Sequence, residues 1–257
     1  MNRFAVVSDI HGNILALEAV MADLVNRRIE GVVNLGDNLS GPLWPVETGK
    51  LLMQQHWFNV QGNHDWNLLH QDPQHLSRSD YHAYQYLDDN LRAWLATLAP
   101  SLTLPEDILA FHGTPTVKNG YLLETPEDGR VRLATPAEIS KNLEGTNASL
   151  LLCGHTHTPR AVQHKGMLIV NPGSLGCPAY VDNSGSAFVV ETGSTHARFA
   201  VLEKKDSGWL VEHISIPYDY QKAVDRARRE DRSDWEIALG TGFMREWDET
   251  PNFPPEV

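Results

Sequence analysis

Cysteine is scarce in this chain. Cys153 and Cys177 are the only two among 257 residues. Two are too few for a disulfide framework, so reduced cytosolic thiols and a cytoplasmic location are expected. Long apolar runs are missing as well. Met1 to Asp9 holds one basic residue and a very short apolar run, which fits neither a signal peptide nor a membrane span. No membrane partner is expected. Basic residues are outnumbered, with 21 Lys and Arg against 33 Asp and Glu and a net charge of -12. That balance argues against a long nucleic-acid groove, which needs cationic side chains along its length. It leaves a small phosphate ester open, because bound metal ions can supply local positive charge. There is no internal repeat and no low-complexity segment. The sequon Asn147-Ala148-Ser149 carries no weight without a secretory signal. What remains is ordinary globular material, 41% hydrophobic and 21% charged, long enough for one large α/β domain or two small ones.

The chain does contain a recurring local pattern, a short apolar run that ends in polar residues. Phe4 to Ser8 reads as a strand running into Asp9-Ile10-His11-Gly12-Asn13. A helix follows over roughly 14 to 27, with Ile14, Leu17, Ala19, Val20, Leu24 and Val25 on one side. Residues 31 to 35 form a second strand, ending in Gly36-Asp37-Asn38, and a helix is expected near 46 to 55. Trp57 to Val60 reads as a buried strand ending in Gly62-Asn63-His64-Asp65. This β-α-β-α-β order favours parallel strands with right-handed crossovers. Residues 66–106 look mainly helical, with aromatic residues at Tyr81, Tyr84, Tyr86 and Trp94. A strand over 108 to 111 ends in His112-Gly113, and 114–134 read as an irregular excursion. Thr135-Pro136-Ala137-Glu138 is a capping box with proline at the first helical position. Two more strands end in Gly154-His155-Thr156-His157 and Asn171-Pro172-Gly173-Ser174. The stretches 187–191, 196–202 and 209–216 read as consecutive antiparallel strands, followed by a helical extension over 217–257. In that extension Arg226, Arg228, Arg229 and Arg232 alternate with acids, as on a solvated helix face.

Five successive strands therefore end in potential metal ligands: Asp9 and His11, Asp37, Asn63 and His64, His112, and His155 with His157. One such residue is usually a turn former. Five in order make that reading poor, because the carboxyl ends of strands in an open parallel sheet lie along one edge, where ligands bind. Mixed imidazole and carboxylate sets suit Mn, Fe, Zn, Ni or Co rather than Ca. The number of ligands suffices for two ions about 3.5–4 Å apart that share a carboxylate.

Asp9-x-His11, Gly36-Asp37, Gly62-Asn63-His64-Asp65, His112 and Gly154-His155-x-His157 resemble the signature of the calcineurin-like metallophosphoesterases, in that family's order, over about residues 4 to 176. The resemblance implies a single domain over 1–257 with a four-layer α/β/β/α sandwich of mixed sheets and a helical C-terminal tail. It implies that Asp9, His11, Asp37 and His157 hold one metal. Asp37, Asn63, His112 and His155 would hold the other, with Asp37 bridging. It implies two divalent transition-metal ions, manganese first, with Fe, Zn, Ni, Co or Mg as alternatives. A metal-bound hydroxide would attack phosphorus in line, and His64 would protonate the leaving oxygen or stabilise charge. Asp65 fits two roles equally, orienting His64 or closing the turn as a surface carboxylate. The Asn171 to Ser174 loop also resembles one in bacterial members, and fits either a pocket wall or a simple turn.

The family fixes chemistry rather than substrate. Asn38, Lys118 and Tyr121 are candidate substrate contacts, because they lie just beyond ligand positions. The expected substrates are phosphodiesters or nucleotides, dinucleoside polyphosphates among them. Alternatives are a phosphomonoesterase acting on nucleotides or phosphoproteins, and a non-catalytic scaffold of the same fold. His56, His70, His75, His82, His164, His196 and His213 read as structural or surface residues, and Cys153 as a packed thiol. The seven Trp and the aromatic stretch near Tyr81 fit either core or a subunit interface.

Overall fold

The computed structural model describes residues 1–29 and 31–244, so the part of the expected C-terminal extension beyond 244 lies outside the described residues. In chain order, β1 (Arg3–Val7) leads to α1 (Ile14–Asn26), β2 (Gly31–Asn34), α2 (Pro45–Met53) and β3 (Phe58–Asn59). Three helices follow, α3 (Asn63–His70), α4 (Arg78–Tyr86) and α5 (Asp89–Ala96). Then come β4 (Ser101–Leu104), β5 (Ile108–Phe111), β6 (Glu124–Glu127), β7 (Arg130–Leu133) and α6 (Pro136–Leu143). The next run is β8 (Leu150–Leu152), β9 (Arg160–His164), β10 (Met167–Asn171), β11 (Ala179–Asp182) and β12 (Phe188–Glu191). The long hairpin β13 (Ala197–Lys205) and β14 (Gly208–Ile216) precedes α7 (Tyr220–Arg229) and α8 (Ser233–Thr241).

Two five-stranded mixed sheets result, ordered β14-β13-β1-β2-β3 and β4-β5-β8-β10-β9. In the first, β1, β2 and β3 are parallel, β13 runs antiparallel to β1, and β14 pairs antiparallel with β13. In the second, β5, β8 and β10 are parallel and the edges β4 and β9 antiparallel. The sheets stack face to face, and the period-two alternation of their strands shows why. Phe4, Val6, Val33 and Leu35 of the first sheet share one core with Ile108, Ala110, Leu150, Leu152 and Val170 of the second. The alternate residues Ala5, Val7 and Val32 face outward onto Leu17, Val20 and Leu24 of α1 and Leu52 of α2. On the other side Phe111, Leu151 and Ile169 face Ile139 and Leu143 of α6. These are the four layers of an α/β/β/α sandwich.

Several local expectations need correction. The strand at Trp57 to Val60 is two residues long and lies at an edge, with Phe58 exposed. The helical reading of 66–106 fails at its end, where β4 forms a hairpin with β5. Residues 114–134 are not wholly irregular, since β6 and β7 pair antiparallel. β12 pairs with β11 rather than with β13, so the expected succession of antiparallel strands is split between two sheets. Val25 is 75% exposed, because the helical period turns it away from the face of Leu17 and Leu24. Arg232 is buried, and its guanidinium pairs with Asp234 and Ser79 rather than with solvent.

The inter-sheet core sets the relative height of all the strand ends. Leu152→Ala, at a fully buried position between the sheets, should cost about 2–5 kcal/mol in urea unfolding. Val25→Ala should leave the midpoint nearly unchanged.

Candidate metal centre

The register of the parallel strands brings the ligand loops together. β1 and β2 end side by side, and their pairing continues into the loops. The Asp9 amide donates to the Gly36 carbonyl at 2.9 Å and the His11 amide to the Asp37 carbonyl at 3.0 Å. From the second sheet, the Gly154 amide donates to the His112 carbonyl at 2.7 Å. The two sheets are joined where the His155 amide donates to Asp9 Oδ2 at 3.2 Å. The ligands thus come from two facing sheets rather than from one edge. Five of them, Asp9, His11, Asp37, His155 and His157, have positive φ, between 51° and 68°. Non-glycine residues avoid this region, at a cost of about 1–3 kcal/mol each, and such strain collects at functional sites. The glycines beside these residues also have a steric reason. A Cβ on Gly62 would collide with the Asp37 backbone amide and carboxylate, and one on Gly154 with the Ser8 hydroxyl.

Two ligand sets form. Asp9, His11 and His157 each offer an atom within 4.8 Å of the others, and so do Asp37, His112 and His155. The sets touch, with His112 Nε2 3.9 Å from Asp9 Oδ1. Backbone carbonyls fix three imidazole tautomers. His11 Nδ1 donates to Ser40 O at 2.8 Å, His112 Nδ1 to Leu35 O at 2.7 Å and His157 Nδ1 to Cys177 O at 2.7 Å. A carbonyl only accepts, so each Nε2 presents its lone pair to the site when the ring is neutral. His11 Nε2 and His157 Nε2 then face each other at 3.2 Å. Asp9 Oδ1, Asn63 Oδ1, His112 Nε2 and His155 Nε2 are buried with no hydrogen-bond partner among the described residues. His112 Nε2 lies 3.0 Å from Asp37 Oδ2 but without the alignment of a hydrogen bond. Unpartnered buried acceptors that converge are what a cation would satisfy, and the imidazole, amide and carboxylate donors fit divalent transition ions.

Burial and the neighbouring charges pull these groups in opposite directions. Burial by itself would raise the Asp9 carboxyl, but the His157 imidazole beside it brings it down to about 2. Burial and the charge of His112 push His155 down to about 3, leaving it neutral and able to ligate. Burial opposes a charge on His112, yet the Asp37 carboxylate raises it to about 9.

His64 stands outside both sets, on the first turn of α3. Its ring lies edge-on to His11, with centroids 5.5 Å apart. Its Nδ1 donates to Asp80 Oδ1 at 2.8 Å. Burial disfavours its charge, but the Asp80 and Asp37 carboxylates outweigh that and carry it up to about 10. Asp80 is the orienting partner that sequence reasoning missed. A signal existed, because Ser77-Arg78-Ser79-Asp80 has capping-box spacing and Ser77 does cap α4. The cap pattern explains Asp80 locally and conceals its reach to His64. Asp65 does not bond His64. It is fully buried and accepts from the amides of Asp37, Asn38 and Gly62 and from Asn38 Nδ2, tying the Asp37 loop to the start of α3. Asp65 closes the turn, but as a buried carboxylate rather than the expected surface one.

The expected substrate contacts separate. Asn38 is fully buried, with its side-chain amide engaged by Asp65 and Asn34. Its amide is thus committed to the frame behind the Asp37 loop. Tyr121 lies against His155, ring centroids 4.9 Å apart, with its hydroxyl hydrogen-bonded to Tyr180 and Asp182. Lys118 places its ammonium 5.1 Å above the Trp66 ring. The Asn171 to Ser174 loop braces the site. Ser174 Oγ donates to Asp9 O, and Asn171 Nδ2 to Gly154 O, both at 2.8 Å. Tyr180, whose ring packs on His157 at 4.6 Å, was not foreseen, because nothing in its local sequence marks it.

Residues 2–203 match the Calcineurin-like phosphoesterase superfamily domain. The chain belongs to this superfamily. An uncharacterised protein of Methanocaldococcus jannaschii is 26% identical to this phosphoesterase over 244 residues, 91% of this chain and 95% of the relative. The crystal structure of a metallophosphoesterase from Sphaerobacter thermophilus superposes with a TM-score of 0.72 at 22% identity, covering 93% of this chain and 98% of that one. A hypothetical protein from Pyrococcus horikoshii gives 0.73 at 20% identity, over 94% and 99%. This chain is thus a metal-dependent phosphoesterase, a hydrolase of phosphoric ester bonds. Among the described residues no helix is long and apolar enough to cross a membrane.

Gly62→Ala should displace Asp37 and lower the divalent-metal content of the phosphoesterase, measured by elemental analysis after reconstitution. Circular dichroism should show the fold retained.

Proposed function

We propose that this phosphoesterase is binuclear and hydrolyses phosphodiester or nucleotide-type substrates, dinucleoside polyphosphates among them, within one domain over 1–257. The observation that carries the reading is the pair of converging ligand sets, with buried atoms that lack a partner among the described residues and a carboxylate-held imidazole beside them. In this reading Asp9, His11, Asp37 and His157 hold one ion, and Asp37, Asn63, His112 and His155 the second. Manganese is the proposed metal, with Fe, Zn, Ni, Co and Mg as the ions to compare. Two such ions, held by these residues, would supply positive charge for the phosphoryl oxygens and would lower the pKa of a nearby water.

The chain's own residues do the rest. Asp80 fixes the His64 ring with Nδ1–H inward, so that Nε2 is the atom free to work on the substrate. A protonated Nε2 donates to the leaving oxygen as its bond to phosphorus breaks, or stabilises the charge that develops there. Asp65 keeps Asn63 and His64 at a fixed distance from the Asp37 loop. Lys118, held over Trp66 beside α3, is the proposed contact to a second phosphate of a nucleotide. A scaffold reading has little support, because no ligand of the motif is missing. Two free buried thiols accord with a cytoplasmic location.

Asp37→Asn should lose metal and activity together. His64→Ala should keep both ions yet lose about 10²–10⁴ in kcat on an aryl phosphodiester with Mn²⁺, with an intermediate loss for Asp80→Asn. Metal loss in His64→Ala would place that residue among the ligands and sink its assigned role. A screen of nucleotides, cyclic nucleotides and dinucleoside polyphosphates tests the substrate class, and rates on a mono- and diester with one leaving group test diester preference. Lys118→Ala should raise KM for the preferred nucleotide and leave kcat on the aryl diester unchanged.

A further inference from the structure

α7 and α8 lie outside residues 2–203, over which the family domain matches, yet α8 reaches the heart of the site. Trp235 is 7% exposed, and its ring stands edge-on to the metal-ligand candidate His11, centroids 6.0 Å apart. Gly41 makes the approach possible, since a Cβ there would press on both the Trp235 ring and the His11 carbonyl. The same helix entrance meets α4. Trp235 Nε1 donates to Ser79 Oγ at 3.3 Å and Arg232 Nη2 donates to the same oxygen at 3.0 Å. Ser79 precedes Asp80, which holds His64. The Ser79 carbonyl accepts from the Gly41 amide at 3.2 Å, and Ser40, next to Gly41, accepts from His11 Nδ1. Arg232 is itself locked by a two-pronged pair with Asp234, at 2.9 and 2.7 Å. Two donors from the C-terminal segment therefore converge on one hydroxyl, at the point where the His11 loop and the Asp80 turn are joined.

We infer that Trp235 and Arg232 are positioning residues of this centre, with α8 as its outer wall. The Trp235 ring sets the orientation of His11, and the two donors to Ser79 set Asp80 and through it His64. The inference rests on the metal-centre reading above. It makes the C-terminal extension a working part of the site rather than an appendage.

The test uses the full chain stripped of metal, titrated with Mn²⁺ by calorimetry, alongside kcat and KM on an aryl phosphodiester. Trp235→Ala should weaken Mn²⁺ binding about tenfold. Leu239→Ala, one turn further along α8 in the same apolar cluster, should unfold more easily yet bind Mn²⁺ as the unaltered chain does. Trp235→Phe should restore Mn²⁺ affinity, because a ring again covers His11. Ser79→Ala should leave Mn²⁺ affinity and KM unchanged while kcat falls about tenfold to a hundredfold. If Leu239→Ala weakens Mn²⁺ binding as much as Trp235→Ala, or if Trp235→Ala and Ser79→Ala both behave as the unaltered chain, the inference is overturned. Should Trp235→Ala fail to fold, Ser79→Ala and Trp235→Phe decide: kcat at the unaltered value in both overturns it. An unaltered chain that binds no Mn²⁺ overturns the metal-centre reading and this one with it. An unaltered chain that binds Mn²⁺ while the variants match it overturns this one alone.

Discussion

Four buried polar atoms at the candidate metal centre, Asp9 Oδ1, Asn63 Oδ1, His112 Nε2 and His155 Nε2, have no hydrogen-bond partner among the described residues, and the rest of the structure is arranged to keep them there. Each unmet group of this kind costs about 1–3 kcal/mol. Left-handed backbone at five ligand positions adds to that burden. Such a concentration of unmet polarity and strain has one economical resolution, which is positive charge at the centre. The hydrogen bonds from three histidine Nδ1 atoms to backbone carbonyls serve the same end, because they fix which nitrogen faces inward.

The sandwich is what holds this arrangement. Parallel strands in each sheet direct their carboxyl ends the same way, and the shared core between Phe4, Val6, Leu35, Ile108 and Leu152 fixes how the two sets of ends meet. The loops themselves are short and closely stitched. Asp65 ties the second loop to the third, Ser174 supports the first, and the His155 amide reaches across from the other sheet to Asp9. Rigid elements carry the ligands, and a polar frame behind them sets their angles, as a site of fixed geometry requires. The helices α3 to α5 form an apolar cluster of their own with Leu39. From that cluster α4 lends Asp80 to His64. The C-terminal helices complete the enclosure on the side of His11.

The ligand positions were legible in the sequence because each follows a short apolar run, and a strand end is a local pattern. Asp9, His11, Asp37, Asn63, His112, His155 and His157 could be named, and the structure brings six of them into two sets, with the Asn63 oxygen buried and unpartnered. The layers were legible through the resemblance those same motifs carry. Local pattern was misleading where a residue's partner lies far along the chain. Asn38 sits beside a ligand and looked free for substrate, but Asp65, 27 residues on, holds it. Asp65 follows His64 directly and looked like its partner. The actual partner is Asp80, 16 residues away.

What the sequence by itself determined is therefore the kind and order of the candidate metal-binding side chains and the apolar alternation that builds two facing sheets. These depend on nearest neighbours and on period. Only the tertiary structure decided which carboxylate holds His64, which histidine nitrogens face the centre, and that Tyr180, Arg232 and Trp235 stand around it. Those roles arise where separate elements pack, and a side chain's neighbours across a packed interface are set by the whole fold rather than by the residues beside it in the chain.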